Sequence, residues 1–359
     1  MAQLPQKTTS LIRLEESSDD RGTKRLKHAP ALDDRISALP DSILLAILSS
    51  LRTKGTIKTG VLSKRWAYLW TFTPSLRFTD TSSENAAIFA TAVNDILHRA
   101  PKLTNLCVLF EYEPELKPQV DLWVRFATTA KVDQLSLLLS SRCSSYSIPY
   151  ENERYKLPQH LYANEFVSEM DFLSCQIMPD RLIGGSSLKR LYFRYTSLPD
   201  DVIKKVLLGS PRLESLELHD CFDFYRLDIV SESLKKLVID SYYRKLGWYD
   251  PLELEIVAPK IESLKIIWSF YEMRKCQIKD MSSLVVIKVD FEIPIDFDCE
   301  DEEDLFEACE NIVRGLFKSL HQVKKLLLAN GVCLMRHECI ENVCFCSSKS
   351  RIAETSSTH

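Results

Sequence analysis

The feature that most constrains this chain is a recurring spacing of apolar residues. From residue 103 onward the pattern apolar-x-x-apolar-x-apolar returns nine times in order, as Leu103-Leu106-Val108, Val132-Leu135-Leu137, Val167-Met170-Phe172, Leu188-Leu191-Phe193, Leu213-Leu216-Leu218, Leu234-Leu237-Ile239, Ile261-Leu264-Ile266, Leu284-Ile287-Val289 and Val323-Leu326-Leu328. The first positions lie 29, 35, 21, 25, 21, 27, 23 and 39 residues apart. Single matches are common in a leucine-rich chain, but nine in order at near-constant spacing are hard to obtain by accident. The second and third apolar positions alternate with other residues, as in a short strand with one face turned inward. One such strand cannot bury its apolar face alone, so the units must stack. The fold expected is therefore α/β: a repeat array whose strands line up in one curved parallel sheet.

Most of these intervals fall in the range of about 20 to 29 residues used by leucine-rich repeats. The repeats beginning at Val167 and Leu213 carry a cysteine eight residues on, Cys175 and Cys221, at the turn position where this repeat takes Asn or Cys. In DDVIKKVLLGSP, residues Val202, Ile203, Val206 and Leu207 keep helical spacing, so a strand plus a helix per repeat is expected. Residues interleaved with the apolar strand positions should face the concave surface, where such arrays bind. These are Arg190, Tyr192, Arg194, Glu217, His219, Lys236, Asp240, Lys265, Lys288 and Asp290. Their mixed signs favour a protein or peptide ligand of mixed charge over a uniform polyanion.

A different pattern precedes the repeats. In LPDSILLAILSSL, Pro40 suits a first helical turn and Ile43, Leu44, Ile47, Leu48 and Leu51 recur at helical spacing. After the break RTKGT, a second helix is expected with Ile57, Val61, Leu62, Trp66 and Leu69 on one side. A hairpin of about forty residues rarely stabilises itself without disulfides, metal or a partner. This one has no cysteine between Asp33 and Asp80, so its apolar faces either meet another protein or pack on the rest of the chain.

Composition excludes several alternatives. The chain has 359 residues, a formal charge of -4 and a pI near 6.0, which leaves no global basic field for nucleic acid or anionic membrane. The polar segment up to about residue 32 has no apolar period and is read as a disordered arm. Its Lys24, Arg25 and Lys27 are read as solvated charge, with a nuclear address as the alternative. The start lacks the apolar stretch of a secretory signal, and no run approaches the roughly 18 apolar residues of a membrane span. A soluble chain of the nucleus or cytoplasm, with free thiols, is expected. Cys333, His337, Cys339, Cys344 and Cys346 could ligate zinc if a fold converged them, but their spacings match no paired arrangement and no metal is expected. The acidic run Asp296 to Asp304 lacks the central glycine of a calcium loop and is read as a solvated loop before a helix. With nine glycines, no phosphate-cradling loop, no dinucleotide fingerprint and no nucleophile elbow, neither an enzyme nor a cofactor is expected.

The stretch DRISALPDSILLAILSSLRTKGTIKTGVLSKRWAYLWTFTPSLRF resembles the F-box of plant F-box/leucine-rich-repeat proteins of the FBD-associated type, most closely at Leu39 to Asp41 and at Val61 to Trp70. The likeness continues through SSLKRLYFRY, SPRLESLELHDC and APKIESLKI. The resemblance implies a substrate receptor of an SCF-type ubiquitin ligase, with no catalysis of its own. Its F-box would bind a Skp-type adaptor and through it a cullin, while the repeats present a target protein. It places adaptor contacts at Leu39, Pro40, Ile43, Leu44, Ile47, Leu48, Val61, Leu62 and Trp66, with Lys64 and Arg65 at the rim. A non-degradative binding scaffold shares all these features. Arg52, Gly55 and Gly60 depart from the family pattern, and a glycine inside the second helix would weaken it by about 1 kcal/mol. The expected organisation is an arm over 1–32, the F-box over 33–80, repeats over 81–335 and a disordered tail over 336–359.

Overall fold

A computed structural model of the protein describes residues 36, 38–80, 86–99, 103–140, 153–178, 185–240, 253–269, 275–292, 323, 325–328 and 351–352. The chain divides into two compact units, Met1–Leu39 and Pro40–His359. The zinc-capable cysteines, the acidic run with its following helix, and the basic cluster of the arm lie outside the described residues. No helix among the described residues is long and apolar enough to cross a membrane, and no group of three or more described His, Cys, Asp or Glu could hold a metal ion.

The helices are α1 (Asp41–Ser50), α2 (Thr53–Lys58), α3 (Trp66–Leu69), α4 (Ala86–Leu97), α5 (Lys117–Thr129) and α6 (Asp200–Gly209). The strands are β1 (Ser75–Asp80), β2 (Asn105–Glu111), β3 (Gln134–Ser140), β4 (Tyr155–Lys156), β5 (Glu169–Leu173), β6 (Cys175–Gln176), β7 (Arg190–Arg194), β8 (Ser215–His219), β9 (Arg226–Asp228), β10 (Lys236–Asp240), β11 (Glu253–Val257), β12 (Ser263–Ser269), β13 (Lys275–Lys279), β14 (Val286–Glu292), β15 (Lys325–Leu328) and β16 (Arg351–Ile352). Eleven of them form one sheet in the order β1-β2-β3-β5-β7-β8-β10-β12-β14-β15-β16, and every pairing is parallel.

The sequence repeat maps directly onto this sheet. All nine expected apolar triplets enter it, and their first positions, from Leu103 to Val323, are buried. The register is in step, so the second position of each triplet lies beside its equivalent: Leu106 pairs with Leu135, Leu135 with Met170, Met170 with Leu191 and Leu191 with Leu216. Two strands more than the pattern indicated belong here: β16, which lies within the segment 336–359 expected as a tail and pairs with β15, and β1. Ser75–Asp80, which the sequence reading placed inside the helical module, is β1; it pairs with β2 and buries Leu76 and Phe78.

The turns repeat as regularly as the strands. At the start of β2, β3, β5, β7, β8, β10, β12 and β14, two successive N–H groups donate to one carbonyl of the previous repeat, as Ser168 and Glu169 do to Asp133 and Glu214 and Ser215 do to Lys189. Just after β5, β7 and β8, Ser174, Tyr195 and Asp220 take left-handed φ values of 56°, 49° and 49°. That bend aims their N–H groups at the carbonyls of Arg194, His219 and Asp240, at 2.9 Å each. The two turn cysteines then serve as small buried donors. Cys221 Sγ donates to Phe193 O at 3.3 Å and Cys175 Sγ to Leu173 O at 3.5 Å, and burial raises both thiols out of the reactive range.

Among the described residues, the expectation of one helix per repeat holds for only part of the array. Helices α4, α5 and α6 cover the inward face with Val93, Val120, Trp123 and Val206, each worth about 1.5 to 3 kcal/mol when fully buried. Trp123 anchors this region: its ring meets Phe110 edge-on at 5.4 Å, and its indole donates to Asn94 Oδ1 at 2.7 Å. After α6 a second parallel sheet, in the order β13-β11-β9, does the covering. Segments such as RLDIV and ELEIV are too short and too β-branched for helices, and they pair with one another instead.

Gly185 marks the tightest approach in the packing. A Cβ there would overlap the backbone carbonyl of Asn164, whose side chain accepts the N–H groups of Phe166 and Val167. Gly185→Ala should therefore cost about 1 to 3 kcal/mol, read as a lower urea midpoint with unchanged slope. Gly55→Ala in α2, where the nearest heavy atom is Leu51 Cβ at 3.9 Å, should instead raise the midpoint by about 0.5 to 1 kcal/mol.

Candidate docking surfaces

Two surfaces carry the residues singled out from sequence. The first is the helical module. The expected second helix is broken in the structure into α2, a 3-10 turn at Thr59–Val61, and α3. Gly60 lies in that turn rather than in a helix interior, and a Cβ on it would stand 3.2 Å from Ala67 Cα, so the glycine permits a close crossing. Ser63 restarts the helix: its carbonyl accepts the Ala67 N–H at 3.1 Å and its hydroxyl faces the Trp66 N–H at 3.5 Å.

The break separates side chains that a single helix would have kept together. Val61 and Leu62 turn outward, 89% and 61% exposed, while Trp66 and Leu69 are buried. On α1, Ile43 and Ile47 lie one turn apart and are 46% and 41% exposed, whereas Leu44 and Leu48 are fully buried. Three expected adaptor contacts, Leu44, Leu48 and Trp66, lie in the interior of the free chain rather than on its surface. Of the others, Pro40, Lys64 and Arg65 are exposed and Leu39 is half-buried. Arg65 Nε donates to Asp41 Oδ1 at 3.0 Å, which ties the loop bearing Leu62 to the end of α1 bearing Ile43. Thr56 Oγ1 donates to Leu48 O at 3.0 Å and clamps α2 onto α1.

The second surface is the open face of the eleven-stranded sheet. The alternation along β7, β8, β10, β12 and β14 puts Arg190, Tyr192, Arg194, Glu217, His219, Lys236, Asp240, Lys265, Lys288 and Asp290 on it, as expected. The register brings many of them into pairs across neighbouring strands. Arg190 Nε donates to Glu169 Oε2 at 2.8 Å, Arg194 Nε to Asp171 Oδ1 at 2.9 Å, and Lys236 Nζ to Glu217 Oε1 at 2.7 Å. His219 sits between Asp240 Oδ2 at 3.0 Å and Glu217 Oε2 at 3.4 Å.

Sequence reasoning missed two groups on this face. Glu169 and Asp171, the partners of the arginines, were legible in VSEMDFL by the same alternation. Leu109, Leu138 and Leu173 form an in-register row at the fifth strand position. They were hidden because NLCVLFE and QLSLLLS are so uniformly apolar that no alternation marks which residues face out.

Hydrogen bonds to Asp240 and Glu217 raise His219 from its ordinary value near 6.5 to about 9, against the opposing effects of burial and of the Arg194 charge. Hydrogen bonds from His219 and Lys236 lower Glu217 from about 4.5 to about 2. The imidazolium is therefore the native form at neutral pH. A raised histidine contributes stability that is fully present below pH 6.5 and lost as pH rises through 9. The lowered carboxyl contributes stability present above pH 4.5 and lost as pH falls through 2. His219→Gln should thus be less stable than wild type at pH 6 and show a flatter decline between pH 7 and 9 in thermal melts.

The F-box domain pattern matches residues 36–77, and the family described as At1g61320/AtMIF1, LRR domain, matches residues 94–296. F-box/LRR-repeat protein At5g02910 of Arabidopsis thaliana is 35% identical over 257 residues, covering 70% of this chain and 51% of the relative. F-box/LRR-repeat protein At3g03360 of Arabidopsis thaliana is 31% identical over 343 residues, covering 90% and 65% respectively. F-box/LRR-repeat protein 25 of Arabidopsis thaliana is 34% identical over 241 residues, covering 65% and 85%. The chain spans between half and two thirds of the length of the first two of these relatives.

Proposed function

The chain belongs to the F-box/leucine-rich-repeat proteins, and from that premise we propose that it is the substrate-recognition subunit of an SCF-type ubiquitin ligase. The F-box docks on a Skp-type adaptor, and through it on a cullin, while the repeats hold a target protein. The observation that carries this reading is the set of outward aliphatic side chains on the module: Ile43 and Ile47 on α1, and Val61 and Leu62 on the loop that Arg65 ties back to it. Four aliphatic side chains this open are costly on a module so small. Val61 would contribute about 1.5 kcal/mol or more if fully desolvated against a partner, and the half-open Ile43 and Ile47 roughly half of a full burial each.

The mechanism is proximity. A target held on the open face has its lysines at raised effective concentration beside the ubiquitin-charged enzyme of the complex. The chain supplies binding and geometry, and the chemistry of transfer belongs to its partners.

Capture of a purified Skp-type adaptor by the immobilised full chain tests the proposal. Val61→Asp should weaken capture by about tenfold or more while leaving the thermal midpoint within about a degree of wild type, because Val61 is 89% exposed in the free chain, whereas Ile47→Asp should weaken capture similarly and lower the midpoint by a few degrees. Leu48→Asp should lower the midpoint sharply, since it places a charge in the interior. Failure of the wild-type chain to retain an adaptor that another F-box protein retains would sink the ligase role.

A further inference from the structure

The charges on the open face are not evenly mixed; they segregate along the sheet. Over β5 to β10 the cations are matched. Arg190, Arg194, Lys236 and the raised His219 each have a carboxylate on the same or the adjacent strand, from Glu169, Asp171, Glu217 or Asp240. From β12 onward the matching stops. Lys265 and Lys288 are direct register neighbours on β12 and β14, and both project from the open face. Lys325 follows on β15, opposite Val286 and exposed. None of the three has an ion pair or hydrogen bond to a carboxylate among the described residues. The one acidic side chain described on this face of these strands is Asp290.

We infer that the β12 to β15 end of the open face is the target-docking subsite, and that its occupant is an acidic, aliphatic-containing peptide segment. This deepens the proposed function and rests on it. Neighbouring strands lie about 4.8 Å apart, so Lys265 and Lys288 present two ammonium groups at a spacing that can hold one carboxylate each or share one. Val286 and Leu327 are half-buried beside Lys325 and Lys288, and Ile267 is half-buried on β12 two residues beyond Lys265, between Asp240 and Asp290. They offer the aliphatic contacts that an Asp- or Glu-rich segment with interspersed Leu or Ile would use. The arrangement is a poor match for nucleic acid. The cations described on β12, β14 and β15 number three, and Asp290, with Asp240 two strands away, would face a continuous phosphate chain. The self-neutralised β5 to β10 region works against promiscuity, because a competing charge there must first displace an existing pair.

The test measures fluorescence anisotropy of a labelled synthetic peptide, with Glu and Asp interspersed with Leu, titrated with the full chain. The reference is a peptide of the same length with every acid replaced by Gln or Asn. The acidic peptide should bind at least about tenfold more tightly than the amide version. The double variant Lys265→Glu/Lys288→Glu should abolish that preference, while Lys236→Gln, already engaged by Glu217, should change it less than about twofold. Single-stranded RNA of equal length binding as tightly as the peptide would overturn the assignment. So would loss of binding only at Lys236→Gln. A third overturning result is that the peptide binds only after the chain's own Asp296 to Asp304 carboxylates are replaced by amides, which would make that segment the occupant. Adaptor capture, measured on the same protein samples, is independent of these lysines. Failure of peptide binding with intact capture therefore rejects the subsite and leaves the ligase role standing.

Discussion

The structure depends on one constraint: eleven strands run parallel in step, with each inward side chain beside its equivalent in the next repeat. Parallel pairing in step turns a sequence period into straight rows of side chains, and a row of Leu, Met and Ile can be buried only if every member faces the same way. A slip of one residue in any strand would send its inward pair to the open face and its charges into the interior. The doubled turn hydrogen bonds at the start of β2, β3, β5, β7, β8, β10, β12 and β14 and the left-handed bend after β5, β7 and β8 hold that register. The same rows order the open face, where Glu169 meets Arg190 and Glu217 meets Lys236 because their strands are aligned.

This explains what could be read from the chain and what could not. The inward rows were legible because burial imposes a type and a spacing at once, and all nine first positions that the spacing picked out are buried. The outward residues of β7 to β14 were legible by default, as whatever stands between the inward ones. Covering elements were less so. An inward strand can be roofed by a helix such as α6 or by a short strand such as β11, and both place an apolar residue where it is needed. The strand β1 was missed because SLRFTD follows the helical module without a break in composition and begins the array before the first full triplet.

The F-box region shows the opposite limit. Helical spacing correctly found α1, and it grouped Ile43, Leu44, Ile47 and Leu48 as one apolar face. A face that broad spans both a buried and an exposed side, and periodicity has no means of separating them. The three-dimensional break after Gly60 does the separating on the second segment, since it sends Val61 and Leu62 out while Trp66 goes in. The glycine that looked like a weakness in a helix is the residue that permits the close crossing with Ala67.

The two surfaces are also mechanically joined. A parallel sheet has two edges, and an open edge invites unwanted pairing unless something covers it. At the β1 edge, α2 packs against the first strand, so the module that presents Ile43, Ile47, Val61 and Leu62 also closes the start of the repeat array. The clamp from Thr56 to Leu48 and the pair from Arg65 to Asp41 then carry that attachment through to α1. The proposed proximity mechanism needs the docking module held in register with the open face, because a loose joint would spread target lysines over a larger volume and dilute their effective concentration. Here the joint is built from the first strand itself, against which α2 packs.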